Sequence, residues 1–127
     1  MDKKESEIDN MTGNFILKLK SIGVDTEGTI NRFCNNLELY KKILVKFLSD
    51  KNYEDLMNSL NNKDYKDAEM YSHTLKGLCS NLGFVELSKI SAEILGMLRE
   101  GKYNNLEDMR EKLREEYIKV ITLIKEV

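Results

Sequence analysis

The feature that most constrains this chain is an absence: its 127 residues contain no proline. The residue that removes a backbone donor and clashes with the preceding helical turn therefore interrupts nothing. Apolar side chains recur at three- and four-residue intervals almost from end to end, and no stretch alternates as a strand would. The sequence predicts an all-α fold. Its length suits one domain with a real core and is short for two. No linker, internal repeat or low-complexity tract divides it, so residues 1–127 read as a single domain.

Ile8, Met11, Phe15, Leu19 and Ile22 form one apolar stripe, and Gly23 is placed to close that opening helix as its C′ residue. Asp25 and Thr26 can cap a short helix running to about Cys34, with Asn35 and Asn36 as the interruption. A longer helix, from 36 to about 60, carries Leu39, Ile43 and Phe47 and is expected to continue past Asp50. Three more follow, at about 64–82 before Gly83, 85–100 before Gly101, and 105–126. Their stripes are Tyr71, Leu75, Leu78 and Leu82; then Leu87, Ile90, Ile94 and Leu98; then Leu106, Met109, Leu113, Tyr117, Val120 and Ile124. Short loops imply antiparallel neighbours. The expected architecture is an up-down-up-down four-helix bundle over 36–126, with N-terminal helices over 1–35 packed across one end as a cap.

Twenty basic and 22 acidic side chains leave a net charge of −2, interspersed instead of blocked, which disfavours nonspecific nucleic-acid binding. No apolar run approaches the length of a membrane span, since Ile43, Leu44 and Val45 are followed by Lys46. Residues 1–5 lead into no apolar stretch of signal-peptide type, so the cytoplasm is the expected compartment. Cys34 and Cys79, widely spaced, read as reduced and small apolar side chains and not as a disulfide or zinc pair.

His73 is the only histidine. If Tyr71, Leu75, Leu78 and Leu82 face the core, His73 points almost directly away from it, among Lys66, Glu69, Lys76, Gly77 and Ser80. A histidine so placed is either an ordinary solvated side chain or a nucleophile that a partner can reach. Neutral imidazole attacks activated phosphoryl groups readily. Lys76, three residues on, could contact phosphate oxygens without competing for the imidazole lone pair. Gly77, four residues on, removes a side chain from the same surface. Glycine inside a helix costs ~1 kcal/mol relative to alanine, so its use there suggests that close approach matters.

The run His73-Thr74-Leu75-Lys76-Gly77, followed by Asn81-Leu82-Gly83-Phe84, resembles the histidine-containing phosphotransfer (HPt) domain of bacterial and eukaryotic phosphorelays. The resemblance extends upstream through Ile22-Gly23-Val24-Asp25, Asn36-Leu37-Glu38-Leu39-Tyr40 and Leu44-Val45-Lys46-Phe47-Leu48, and downstream through the last two helices. It implies a bundle whose motif histidine, here His73, is phosphorylated on a ring nitrogen. Lys76 would assist the phosphoryl group and Gly77 would keep the surface open. The implied partners are receiver domains of response regulators and hybrid sensor kinases. Magnesium would belong to the receiver, with no cofactor in this chain, which would act as a monomeric carrier and not as a kinase. Two positions depart from the family pattern. Where many relatives carry a glutamine or glutamate that hydrogen-bonds near the histidine, this chain has Leu95, with Arg99 one turn on as an alternative charge. Cys34-Asn35-Asn36 stands where relatives often have a glycine-containing turn.

Other readings are distinguishable. The chain has no phosphate-cradling glycine loop, paired histidines or clustered carboxylates, which disfavours an autonomous kinase. A phosphorylation-independent helical interaction module would carry no phosphate on His73. A metal site built from Cys34, His73 and Cys79 places His73 and Cys79 on different helix faces and lacks a fourth ligand. A phosphoacceptor module of a larger sensor or chemotaxis-type kinase is the remaining alternative. The Met1 start favours a free-standing protein.

Overall fold

The computed structural model describes residues 13–126, and these form helices and turns joined by one isolated antiparallel bridge between Val24 and Phe84. Helix α1 occupies 13–21, followed by α2 (Thr26–Arg32), α3 (Leu37–Phe47), α4 (Asn52–Asn61), α5 (Tyr65–Asn81), α6 (Val85–Arg99) and α7 (Leu106–Ile124). The fold is the expected all-α bundle. The Ile8 and Met11 part of the first stripe lies outside the described residues, while Phe15 and Leu19 are buried as expected.

Local chemistry accounts for most helix ends. Gly23, Gly83 and Gly101 all take the left-handed conformation, with φ of 84°, 81° and 68°, the C′ geometry expected of them. After α1 the Val24 N–H reaches back to the Leu19 carbonyl at 3.1 Å, closing that end. The Asp25 side chain accepts from the Gly28 N–H at 3.1 Å and starts α2. That helix stops at Arg32, short of Cys34, because Cys34 and Asn35 both adopt positive φ (56° and 58°). Asn36 then caps α3 by accepting from the Leu39 N–H at 3.1 Å.

The single helix expected over 36–60 is two helices. Leu48, Ser49, Asp50 and Lys51 occupy the junction, and the Asp50 carboxylate accepts from the backbone N–H of Asn52, the first residue of α4, at 2.9 Å. A side chain that captures a backbone donor in this way competes with the helical ladder. The break also re-aims the chain around Tyr117. Phe47 meets that ring edge-on with centroids 5.9 Å apart, and Tyr53 stacks on it at 3.6 Å. The buried face of α3 is Tyr40, Leu44 and Phe47; Leu39 is exposed and Ile43 half-buried, one position away from the stripe read in sequence.

Helices α4 to α7 make the bundle, with α5 and α6 packed together most extensively. Leu87, Ile90, Ile94 and Leu98 of α6 are all buried as expected, as are Leu106, Met109, Leu113, Val120 and Ile124 of α7. The N-terminal helices fasten onto the α5–α6 turn. The Asp25 N–H donates to the Gly83 carbonyl at 2.8 Å, and Arg32 Nη2 donates to the carbonyls of Asn81 at 3.0 Å and Ser80 at 3.3 Å. Arg32 thus satisfies the Asn81 carbonyl that the end of α5 leaves open and adds a second bond to Ser80, whose carbonyl already accepts from the Gly83 N–H at 3.2 Å. Gly83 is indispensable to this seam, since a Cβ there would collide with Thr29 Oγ1 and the Asp25 carbonyl oxygen. Lys18 of α1 reaches Glu126 beyond α7 at 3.0 Å.

Candidate functional site

The buried face of α5 runs through Ala68, Ser72, Leu75 and Cys79, with Leu82 just beyond the helix end. At ~100° per residue this face lies about 50° around the helix from the expected stripe. Leu75 and Leu82 belong to both, whereas Tyr71 and Leu78 are only half-buried. The rotation comes from small residues. Ser72 is fully buried and donates to the Glu69 carbonyl at 3.0 Å; Ser91 on α6 is equally buried and donates to Leu87 at 2.7 Å. A hydroxyl satisfied within its own helix can be buried without a partner from another.

His73 therefore points about 140° from the centre of the buried face, and it is exposed. Among the described residues its imidazole has no hydrogen-bond or ion-pair partner. It shares an open recess of ≈ 340 Å³ with Lys66, Glu69 and Met70 of its own helix and Arg99 of α6. Met70 is 54% exposed. Arg99 Nε donates to Glu69 Oε1 at 3.3 Å, and both side chains are about half exposed, the setting of a loose ion pair.

Lys76 and Gly77 lie one turn further along, outside that recess. Lys76 is half-buried at the α5–α6 seam, where its carbonyl accepts from Ser88 Oγ at 3.1 Å. Its ammonium has no hydrogen-bond or ion-pair partner among the described residues. Gly77 is exposed, and a Cβ added to it would meet nothing within 4 Å. Packing against another helix is therefore not the reason for glycine at 77. Across the helix, Leu78 and Leu82 join Ile43, Lys46, Phe47 and Asp50 in a second cleft of ≈ 240 Å³ between α3 and α5. Leu95 is buried in the core, so it faces away from any hydrogen-bonding task at the imidazole.

Among the described residues no group of three or more His, Cys, Asp and Glu side chains could hold a metal ion. Cys34 is exposed and Cys79 buried, and burial pushes the Cys79 thiol up to about 12. No helix among the described residues is long and apolar enough to cross a membrane. Sequence reasoning placed His73 and Gly77 on the exposed face of α5, where the structure has them, and it missed the fastening of Arg32 onto α5. No periodicity signals that contact, because one long polar side chain makes it across 48 and 49 residues of sequence.

Comparison with known proteins supplies a family. A family model described as Hpt domain matches residues 46–122, from the end of α3 through most of α7. No curated protein and no solved structure matches the chain significantly. The family match covers more than half of the sequence and includes the whole His73 helix, and on that basis the chain belongs to the Hpt domain family.

Proposed function

We propose that this protein is a phosphorelay carrier that accepts a phosphoryl group on His73 from a receiver-domain aspartate and passes it to another receiver. Hpt domains are the histidine phosphotransfer modules of phosphorelays, phosphocarriers and not kinases. The observation that carries the finer reading is the placement of the sole histidine, exposed on α5 without a hydrogen-bond partner among the described residues, one turn from a glycine that opens onto empty space. A lone pair on one ring nitrogen attacks phosphorus, forming a P–N bond. The P–O bond to the donor aspartate breaks and its electron pair leaves on the carboxylate, while the second ring nitrogen keeps its proton. Return transfer reverses the same bonds.

In this reading Lys76 supplies positive charge to the phosphoryl oxygens during transfer, and Gly77 leaves room for the receiver's phosphorylated aspartate. The receiver would sit over the exposed face of α5, with Met70 at one rim and the α3–α5 cleft at the other. Magnesium, if the transfer uses it, is contributed by the receiver. The carrier works as a monomer in the cytoplasm. Mixing purified protein with a phosphorylated receiver tests the proposal: acid-labile phosphate should appear on wild type and not on His73→Gln. Equal labelling of both would refute it. Undiminished binding of a receiver that never transfers phosphate would instead favour an interaction module.

A further inference from the structure

The recess around His73 is asymmetric in charge. Lys66, Arg99 and Glu69 line it, so a single carboxylate stands among two cations beside the imidazole. Arg99 comes from α6, the helix that elsewhere contributes buried Leu95 and hence no polar group to this place. Its Nε is engaged by Glu69 Oε1 at 3.3 Å, longer than a tight charge-assisted bond of about 2.8 Å, and both partners are about half exposed. The two Nη groups have no hydrogen-bond partner among the described residues. They form the part of a guanidinium suited to gripping a phosphoryl group through two oxygens.

Glu69 precedes His73 by four residues and so lies one turn away on the same side of α5. A phosphoryl group on the imidazole brings a charge of about −1.5 to −2 into a recess where the carboxylate carries −1. The phosphoryl group then attracts Arg99 more strongly than Glu69 does and also repels Glu69. A loose pair under this competition exchanges partners.

We infer that Arg99 holds the phosphoryl group once it is on His73, and that Glu69 is its resting partner, which competes for Arg99 and keeps phosphohistidine from becoming too stable to pass on. The inference rests on the reading of His73 as phosphoacceptor. Lys76 brackets the imidazole from the next turn, so charge approaches the phosphoryl group from both sides along α5. Arg99 and Glu69 act on the lifetime and equilibrium of the phosphorylated carrier, and Lys76 on the transfer step.

The test uses the whole chain with potassium phosphoramidate as phosphodonor and ³¹P NMR to identify and follow phosphohistidine. A wild-type protein that forms no acid-labile phosphohistidine with either phosphoramidate or a phosphorylated receiver overturns the reading of His73, and this inference with it. Given wild-type labelling, Arg99→Gln should lower equilibrium occupancy of His73 against a receiver by roughly 3- to 10-fold, the scale of one exposed charge-assisted contact. Arg99→Lys should recover part of that loss and Glu69→Gln should raise occupancy by a few-fold. The decisive arm is Glu69→Gln combined with Arg99→Gln: the gain from Glu69→Gln should be clearly smaller without Arg99 than with it, because only the direct repulsion is then relieved and the competition for Arg99 is gone. Unchanged occupancy and phosphohistidine ³¹P shift in Arg99→Gln, with helical signal intact, would overturn the role of Arg99. A Glu69→Gln effect that is undiminished without Arg99, or that lowers occupancy, would overturn the competition.

Discussion

Gly77 offers a test in which stability and function should move in opposite directions. It lies within α5, four residues short of the helix end, with no positive φ, so a side chain there is not strained by the backbone. A Cβ would meet nothing within 4 Å, which removes steric cost from the calculation. What remains is the entropy that glycine loses when the helix forms, and replacing it with alanine should stabilise the protein by ~0.5–1 kcal/mol. For a chain of this length that corresponds to roughly 2–4 °C in Tm. Glutamine, unbranched and helix-compatible, should retain much of the gain. It would also fill the opening beside His73, and separating reacting atoms by ~1 Å can cost ~100-fold in rate. Thermal melts and single-turnover transfer from a phosphorylated receiver, run on the same preparations, give both numbers. A Gly77→Ala variant that melts below wild type would refute the solvent-open geometry. A Gly77→Gln variant that transfers at the wild-type rate would refute the claim that the opening serves the partner.

The opposite outcome is expected at Gly83, where positive φ and the collision with Thr29 and Asp25 should make Gly83→Ala destabilising by more than ~2 kcal/mol in a denaturant titration. His73→Gln should change stability by less than ~0.5 kcal/mol while abolishing acid-labile phosphate, since its side chain is exposed. Lys76→Ala should slow transfer more than it weakens docking; recovery of the wild-type rate at saturating receiver would assign Lys76 to binding instead. Burial pushes the Cys79 thiol up from its ordinary 9.0 to about 12, and burial, followed by the Asp25 charge, pushes Tyr40 up from 10.0 to about 12. The unfolded chain ionises these groups first, so their stabilisation is complete below about pH 9 and is lost as pH rises toward 12. Denaturant midpoints that stay flat across that window would contradict the burial of both.

Helix identity was legible because this sequence punctuates its helices with glycine. Gly23, Gly83 and Gly101 mark ends that the structure places within a residue or two. The junction between α3 and α4 was not legible, since its signal is a run of weak helix formers without glycine or proline while apolar spacing continues on either side. The helical face of α5 was misread by about 50° for a related reason: periodicity searches weigh leucine and tyrosine, whereas the buried face includes the small residues Ala68, Ser72 and Cys79 beside Leu75. His73 tolerated that error, being far enough from either version of the core to remain exposed. Arg99 was visible only as a charge one turn past Leu95; its pairing with Glu69 depends on how α5 and α6 align, which no local pattern encodes.

Every side chain assigned here to the phosphoryl group comes from α5 or α6, and α4 and α7 serve that hairpin by packing against it. In the proposed docking mode α5 serves both chemistry and recognition, whereas α3 contributes to recognition alone, through its side of the α3–α5 cleft. If receivers dock as proposed, the α3 side of that cleft can drift, and with it the choice of receiver, without altering the group that carries the phosphate. A lineage that duplicated this gene could rewire its signalling by changing that surface alone. The same separation makes the α5–α6 hairpin the natural piece to graft into a designed bundle that is to carry phosphate between chosen partners.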